Sequence, residues 1–204
     1  VSWITAAAER ADKPVPRFGL LKLGTGNALA WVLGAQNPKG RGVVADLARL
    51  RREGGSRNLR LVEVEGMLTP FGGMGADAIA LQNYEITRDV FYKSKLLKPI
   101  ANGLVMHGAA FFGLSAPQYL VKPVLQVRIV NEGGPAVRLG QDGRPVGAPI
   151  ERGDIIYAGP VRMLAFSTIP YWGFGARIFP YAEERQDRFN LRVVNFGSIA
   201  AVAN

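Results

Sequence analysis

The sequence predicts a mixed chain: an α/β segment first, then a β-rich region carrying one helical insert. Three observations point there. A mostly apolar run at residues 18–23 ends in Gly24-Thr25-Gly26-Asn27 and passes at once into a helical pattern of Ala, Leu and Trp, which is the order strand, glycine turn, helix. Composition changes at Gly54-Gly55-Ser56, after which the alternation of helix and strand fades. From Val124 onward, short β-branched segments separated by Gly- and Pro-containing turns dominate. The boundary is placed accordingly, with a first domain at 1–58 and a second at 59–204.

Taken in order, residues 1–10 form a helix, because Val1, Ile4, Ala7 and Ala8 fall on one face. Residues 18–23 form a buried strand, nearly continuous in apolar residues as parallel strands are. A helix over 26–35 follows, with Gly34 near its end. A basic loop leads to a short helix at 43–52 with Leu47 and Leu50 facing inward. Leu59 and Leu61 share one face of a strand whose phase slips at Leu61-Val62, a bulge signal. A second strand runs from Met67 into a glycine turn. Residues 77–90 and 94–114 are helical, the latter interrupted around Pro99 and Gly103. Strands are expected at 124–130, 154–157, 163–168, 176–179 and 189–194, with turns at 131–135 and 141–144.

The net charge is +9, from 25 Lys and Arg against 16 Asp and Glu, which suits an anionic partner or a solvated basic surface. Residues 36–60 hold seven cations and two acids, Asp46 and Glu53. Aromatic residues are not interleaved with that run, which argues against a nucleic acid as the partner. The chain has no cysteine, excluding disulfides, thiolate metal sites and thiol catalysis, and suiting a reducing, cytoplasmic compartment. The apolar stretch 103–114 is too short to span a bilayer. His107, the single histidine, reads as a packed residue among apolar neighbours. Lys93, Lys95 and Lys98 around Leu96 and Leu97 suit either anionic lipid headgroups or an ordinary amphipathic face. Tyr171 and Trp172 read as core or as a cleft wall.

The Gly24 turn is the most informative motif. Gly24 and Gly26 let the backbone approach a ligand closely. Thr25 adds a hydroxyl donor, and Asn27 sits where its amide either caps the helix or holds the loop. Backbone N–H groups at such a helix start favour an anion. Glycine turns of this kind are common, so on physics alone a phosphate cradle and a plain turn both remain open.

The string FGLLKLGTGNALAWVLG closely resembles the diacylglycerol kinase catalytic domain family, which includes bacterial lipid kinases and sphingosine kinases. There a strand ending in Pro-Leu-Gly-Thr-Gly-Asn leads into a helix. The Asn27-Ala28 step is similar to the sphingosine kinase branch. Further resemblances follow in the same order. Phe71-Gly72-Gly73-Met74-Gly75-Ala76-Asp77-Ala78 resembles the Gly-x-Gly-x-Asp-Ala turn of the second domain. Residues 94–113 resemble the helical segment after it, and 171–182 resemble a later glycine- and proline-containing segment.

This resemblance implies a partial NAD kinase-like α/β nucleotide-binding domain followed by a β-sandwich-like domain, with ATP between them and a lipid hydroxyl as acceptor. Gly24, Thr25, Gly26 and Asn27 would hold ATP, with Thr25 in contact. Asp77 would lie near the acceptor lipid, or else cap its own helix. Gly72, Gly73 and Gly75 would shape the turn. The loop around 183–188 is where relatives hold Mg²⁺. Here Gln186 stands for the first acid of the pattern, Asp187 is adjacent and Asn190 replaces the second acid, which leaves a weak donor set. The family's Gly-Gly-Asp-Gly-Thr motif and its general base are not among these residues. No catalytic residue is therefore assigned, and the 204-residue piece is expected to be inactive alone. Peripheral contact with a membrane accompanies such an activity. The oligomeric state is not legible.

Overall fold

The computed structural model describes residues 1–24, 27–37, 40–52, 55–121, 124–173 and 175–195. Helices α1 (Ser2–Arg10), α2 (Ala28–Val32) and α3 (Gly42–Arg51) come first. Strands β1 (Val62–Val64), β2 (Met67–Thr69) and β3 (Phe71–Gly75) lead into the long helix α4 (Ala76–Lys93). A 3₁₀ turn at Lys98–Ile100 precedes α5 (Gly103–Ala110), a π turn (Phe111–Ser115) and α6 (Ala116–Val121). Strands β4 (Leu125–Val130), β5 (Ala136–Leu139), β6 (Pro145–Ile150), β7 (Ile155–Val161), β8 (Met163–Ser167) and β9 (Asn190–Val194) complete the described elements. The chain is thus mixed helix and sheet, as the composition shift suggests. Its sheets are small: antiparallel pairs β1-β2, β4-β7 and β5-β6, and a three-stranded sheet ordered β3-β8-β9.

The β1-β2 pair is a two-residue hairpin. Glu65 and Gly66 at its tip have φ of 50° and 77°, the left-handed pair that a primed turn needs to match strand twist. Ser2 anchors α1 to this hairpin, its Oγ accepting from the Leu68 N–H at 2.9 Å.

The chain separates into two compact units. One comprises Val1–Gly72 with Phe166–Leu191, the other Gly73–Ala165 with Arg192–Asn204. This division differs from the expected cut at 58/59, because residues 166–191 return to pack on the N-terminal segment. The Thr168 N–H donates to Pro70 O at 2.9 Å and its hydroxyl donates to Arg60 O at 2.7 Å. Ile169, Phe179 and Ala182, all buried, form the core of that unit with Ala28 and Ala30. In the other unit α4 buries Asn83, Thr87 and Phe91 against α5 and the π turn. Asn83 donates to Ser115 Oγ at 3.0 Å, Ser115 donates to Ala110 O at 3.1 Å, and Gln118 donates to Asn83 Oδ1 at 3.3 Å. His107 stacks on Tyr84 with ring centroids 3.7 Å apart, in line with a packed role.

Several expectations are corrected. Residues 18–23 are not a strand: they pair with no other strand among the described residues, and Phe18 and Leu23 are exposed. The Leu23 N–H instead donates to Leu21 O at 2.9 Å in a local turn. An apolar run cannot hold an extended form without a neighbour for its backbone groups. Residues 176–179 also form turns, with Ala176 N–H donating to Gly173 O and Phe179 N–H to Pro170 O. Leu47 and Leu50 of α3 do not face a core; both are exposed, and Asp46 is the buried residue of that helix. Its carboxylate accepts from the Gln36 N–H at 2.8 Å and lies 3.4 Å from Arg49. Strands β5 and β6 are absent from the expectation. They hold two prolines and Gly147 at φ 76°, and their register shifts between Ala136 and Arg138.

Candidate functional site

The Gly24 turn is described only at its two ends. Thr25 and Gly26, both expected at the nucleotide, lie outside the described residues. The Asn27 side-chain amide donates to Gly24 O and closes the turn on itself. Of its two expected roles, Asn27 takes the loop-holding one; its side chain makes no cap bond to α2. The helix it starts has five residues and buries Ala28 and Ala30. Trp31 on its other side carries the Lys22 ammonium 4.4 Å above the ring and lies 6.2 Å from Tyr171. A Cβ on Gly175 would come within 3.1 Å of the indole. Lys22 and Trp31, close in sequence to the turn, thus form a half-exposed cation–aromatic cluster with Tyr171.

The segment 71–78 is better defined. Strand β3 runs straight into α4, and Gly75 at the junction has φ 88° and ψ −126°, a conformation reserved for glycine. A Cβ there would also strike the Arg162 carbonyl oxygen, which accepts from the Ala76 N–H at 2.8 Å. A Cβ on Gly73 would strike Asp77 Oδ2 and Leu164 O. The two glycines therefore do two jobs. They bring β3 and the start of α4 close to β8, and they leave space for the Asp77 carboxylate to fold back over the turn.

Asp77 is 5% exposed, and its Oδ1 accepts from the Ala78 N–H at 2.8 Å. Burial pushes its pKa above the ordinary carboxylate value and outweighs the backbone hydrogen bonds that pull it down. The Tyr119 hydroxyl donates to Ala76 O. Its pKa is raised too, first by burial and then by the negative charge of Asp77. Arg162 Nη1 donates to Tyr119 O at 2.6 Å. Beside these groups lies a cavity of about 340 Å³, lined by Gly75, Ala78, Ile79, Tyr119, Leu125 and Arg162 among others. It is apolar over most of its wall, with Tyr119 and Arg162 as its polar members. A carboxyl whose pKa burial raises takes up a proton more readily than an exposed one, and its protonated form can donate a hydrogen bond as well as accept one. Asp77 is not the cap of α4: the N-cap position is Gly75, no side chain caps it, and the Ala78 contact lies inside the first turn.

The loop at 182–188 is organised by Arg60, one of the seven cations of residues 36–60. The Arg60 guanidinium donates to three backbone carbonyls: Arg185 O, Arg188 O at 2.8 Å and Ala182 O at 2.7 Å. Arg57 adds an ion pair to Glu183 at 2.7 Å. Asp187 is exposed and bound by Arg185 at 3.1 Å and Arg188 at 3.4 Å. The Arg185 hydrogen bond, the largest influence, lowers the Asp187 pKa to about 2. For Mg²⁺ this is a poor fit. Gln186 and Asp187 supply one carboxylate between them, and two guanidinium groups already hold it. Among the described residues no group of three or more His, Cys, Asp or Glu is placed to hold a metal ion.

The buried relay of Asn83, Ser115 and Gln118 and the cage around Arg60 carried no sequence signal, since their partners lie 32 to 128 residues apart. Comparison with models of known families, with curated proteins and with solved structures gives no match. Among the described residues no helix is long and apolar enough to cross a membrane.

Proposed function

We propose that this chain belongs to an ATP-dependent lipid kinase of the diacylglycerol kinase type, one that transfers the γ-phosphate to a lipid hydroxyl. The observation that carries the reading is the 71–78 turn. In the segment that resembles the family's second glycine motif a Cβ on Gly73 or Gly75 would collide with its surroundings and Gly75 has a left-handed φ; Asp77 beside them is buried, and its neighbours Gly75 and Ala78 line an apolar cavity. In this reading the first segment is part of an NAD kinase-like nucleotide domain and the later strands belong to a β-sandwich-like one. Gly24, Thr25, Gly26 and Asn27 receive the ATP phosphates, and the Asn27 clasp on Gly24 keeps the turn closed. Asp77 orients the acceptor hydroxyl, and the cavity takes the first apolar atoms of the lipid. Mg²⁺ arrives with the nucleotide and shields its phosphates; residues 186 and 187 are not its ligands. The protein meets its acceptor at a cytoplasmic membrane surface.

The Asn27-Ala28 step favours a second acceptor, a sphingosine-type long-chain base. Gln186 and Asn190, standing where relatives carry acids, favour a lipid- or nucleotide-binding module without activity. One pair of measurements separates these. Titration calorimetry with ATP tests the nucleotide half, and Asn27→Ala is expected to weaken binding about tenfold, roughly the loss of one hydrogen bond. Labelled ATP with diacylglycerol or sphingosine in detergent micelles, resolved by thin-layer chromatography, tests transfer. Label in diacylglycerol supports the proposal, and label in sphingosine alone moves the acceptor. ATP binding without label is expected of these residues alone, and it favours the inactive module only where a chain that also carries the Gly-Gly-Asp-Gly-Thr motif and a general base gives no label either. Neither binding nor label overturns the reading.

A further inference from the structure

Between Asp89 and Glu132 the sequence contains no acidic residue, and its charged groups are Lys93, Lys95, Lys98, Lys122 and Arg128. Residues 101–121 contain no Asp, Glu, Lys or Arg. In the structure this interval is one helical run from Gly103 to Val121. Its inner side buries Met106, Ala110 and Ser115. Its outer side is also apolar. Leu104 is 75% exposed and Phe112 is 76% exposed. They stand eight residues apart on one ridge with Gly108 between them. A Cβ on Gly108 or Gly113 would meet nothing within 4 Å, so this ridge is uncovered. Just before it, Leu96 at 85% and Ile100 at 55% are exposed in the connector, interleaved with exposed Lys95 and Lys98. Lys93 reaches Asp89 only at 3.9 Å, across an exposed pair.

A helix that is apolar on both faces buries its outer face in something. Among the described residues no helix is long and apolar enough to cross a membrane, the run keeps Met106, Ala110 and Ser115 buried, and every charged side chain from residue 90 to 131 is basic. We infer that the surface formed by Leu96, Ile100, Leu104 and Phe112, with Lys93, Lys95 and Lys98 beside it, docks on a bilayer containing anionic phospholipid. The four apolar side chains enter the boundary between headgroups and acyl chains, and the lysines meet the headgroup phosphates and carboxylates. The absence of any carboxylate across 42 residues, 90 to 131, is what selects a negative surface over a protein partner of mixed charge. This surface stands independently of the kinase reading, and its test uses no nucleotide.

The test is co-sedimentation with vesicles of phosphatidylcholine alone and of phosphatidylcholine with 30% phosphatidylserine, a mixture chosen as a roughly physiological anionic surface. Binding to the anionic vesicles is expected, weakening with added salt. Leu104→Ser with Phe112→Ser is expected to lower the affinity at least about tenfold. Reversal of Lys93, Lys95 and Lys98 to Glu is expected to lower it by about a hundredfold. All these positions are exposed, and unchanged circular dichroism and melting temperature establish that the variants fold. Equal binding to both vesicles, or anionic binding that both variant sets leave intact, overturns the inference. So does a stable dimer that the Leu104 and Phe112 changes dissociate while vesicles capture nothing. Failure here leaves the phosphotransfer reading standing, and failure of transfer leaves this surface standing.

Discussion

Replacing Gly75 with alanine separates two costs that the 71–78 turn imposes. The first is conformational: at φ 88° and ψ −126° an L-residue is strained by about 1–3 kcal/mol. The second is steric, because the new Cβ would strike the Arg162 carbonyl oxygen, a rigid backbone atom already engaged by the Ala76 N–H. Forcing that contact apart costs about 1–3 kcal/mol, as overpacking does elsewhere. Gly75→Ala is therefore expected to destabilise by about 2–6 kcal/mol. At about 2–4 °C per kcal/mol for a chain of this size, that lowers Tm by roughly 4–24 °C. Two variants in the same compact unit serve as controls. Gly153 has φ 90° with nothing within 4 Å of a Cβ, so Gly153→Ala measures the strained φ without a collision, about 1–2 kcal/mol. Gly73→Ala measures the collision without a positive φ, since its Cβ would strike Asp77 Oδ2 and Leu164 O. Urea denaturation followed by circular dichroism gives all three values. If Gly75→Ala costs no more than Gly153→Ala, the close approach of this junction to β8 is refuted, and with it the account of how Asp77 is seated.

Asp77→Asn keeps the shape and removes the charge. Because burial raises the folded pKa of Asp77, the native state binds more protons than the unfolded one above the ordinary carboxylate value. Wild-type stability therefore falls as pH rises through that window, and the variant is expected to be flatter and more stable at neutral pH; urea midpoints from pH 4 to 8 check it. Arg60→Lys replaces a planar fork with a single ammonium that cannot reach three carbonyls at once. It is expected to cost about 1.5–3 kcal/mol, on the scale of one charge-assisted hydrogen bond at a partly exposed site, read as a lower denaturation midpoint. Asp187→Asn removes an exposed carboxylate, and its expected effect on Tm is undetectable at physiological salt. The wild-type carboxyl is expected to titrate by NMR at about 2 and to move toward 3.8 as salt screens Arg185 and Arg188.

Local periodicity made α1, α4 and the helical insert legible, because each writes its inner face into neighbouring residues. The glycine punctuation at 72–75 was legible for the same reason: a conformation that only glycine adopts leaves a mark at one position. The errors share the opposite cause. Residues 18–23 and 176–179 have strand composition, yet a strand exists only where another backbone accepts its hydrogen bonds, and composition does not name that backbone. Strands β5 and β6 escaped because Pro145, Gly147 and Pro149 imitate a loop, although the pairing of Ala136 with Ile150 holds them. In α3 the apolar spacing pointed to Leu47 and Leu50, but the buried group is Asp46, anchored by a backbone N–H ten residues earlier. At the candidate site Asp77 could be named from its motif. Tyr119 and Arg162, which complete its surroundings, sit 42 and 85 residues away and carried no signal.

The Arg60 cage has a consequence for how the 182–188 loop behaves in changing surroundings. A dissolved cation held by the same carbonyls would depart whenever its free concentration fell below its dissociation constant. A guanidinium on the same chain cannot be diluted, chelated or exchanged. The loop therefore keeps its shape through ionic fluctuations that would empty a bound-ion site, a permanence gained by giving up control through ion supply.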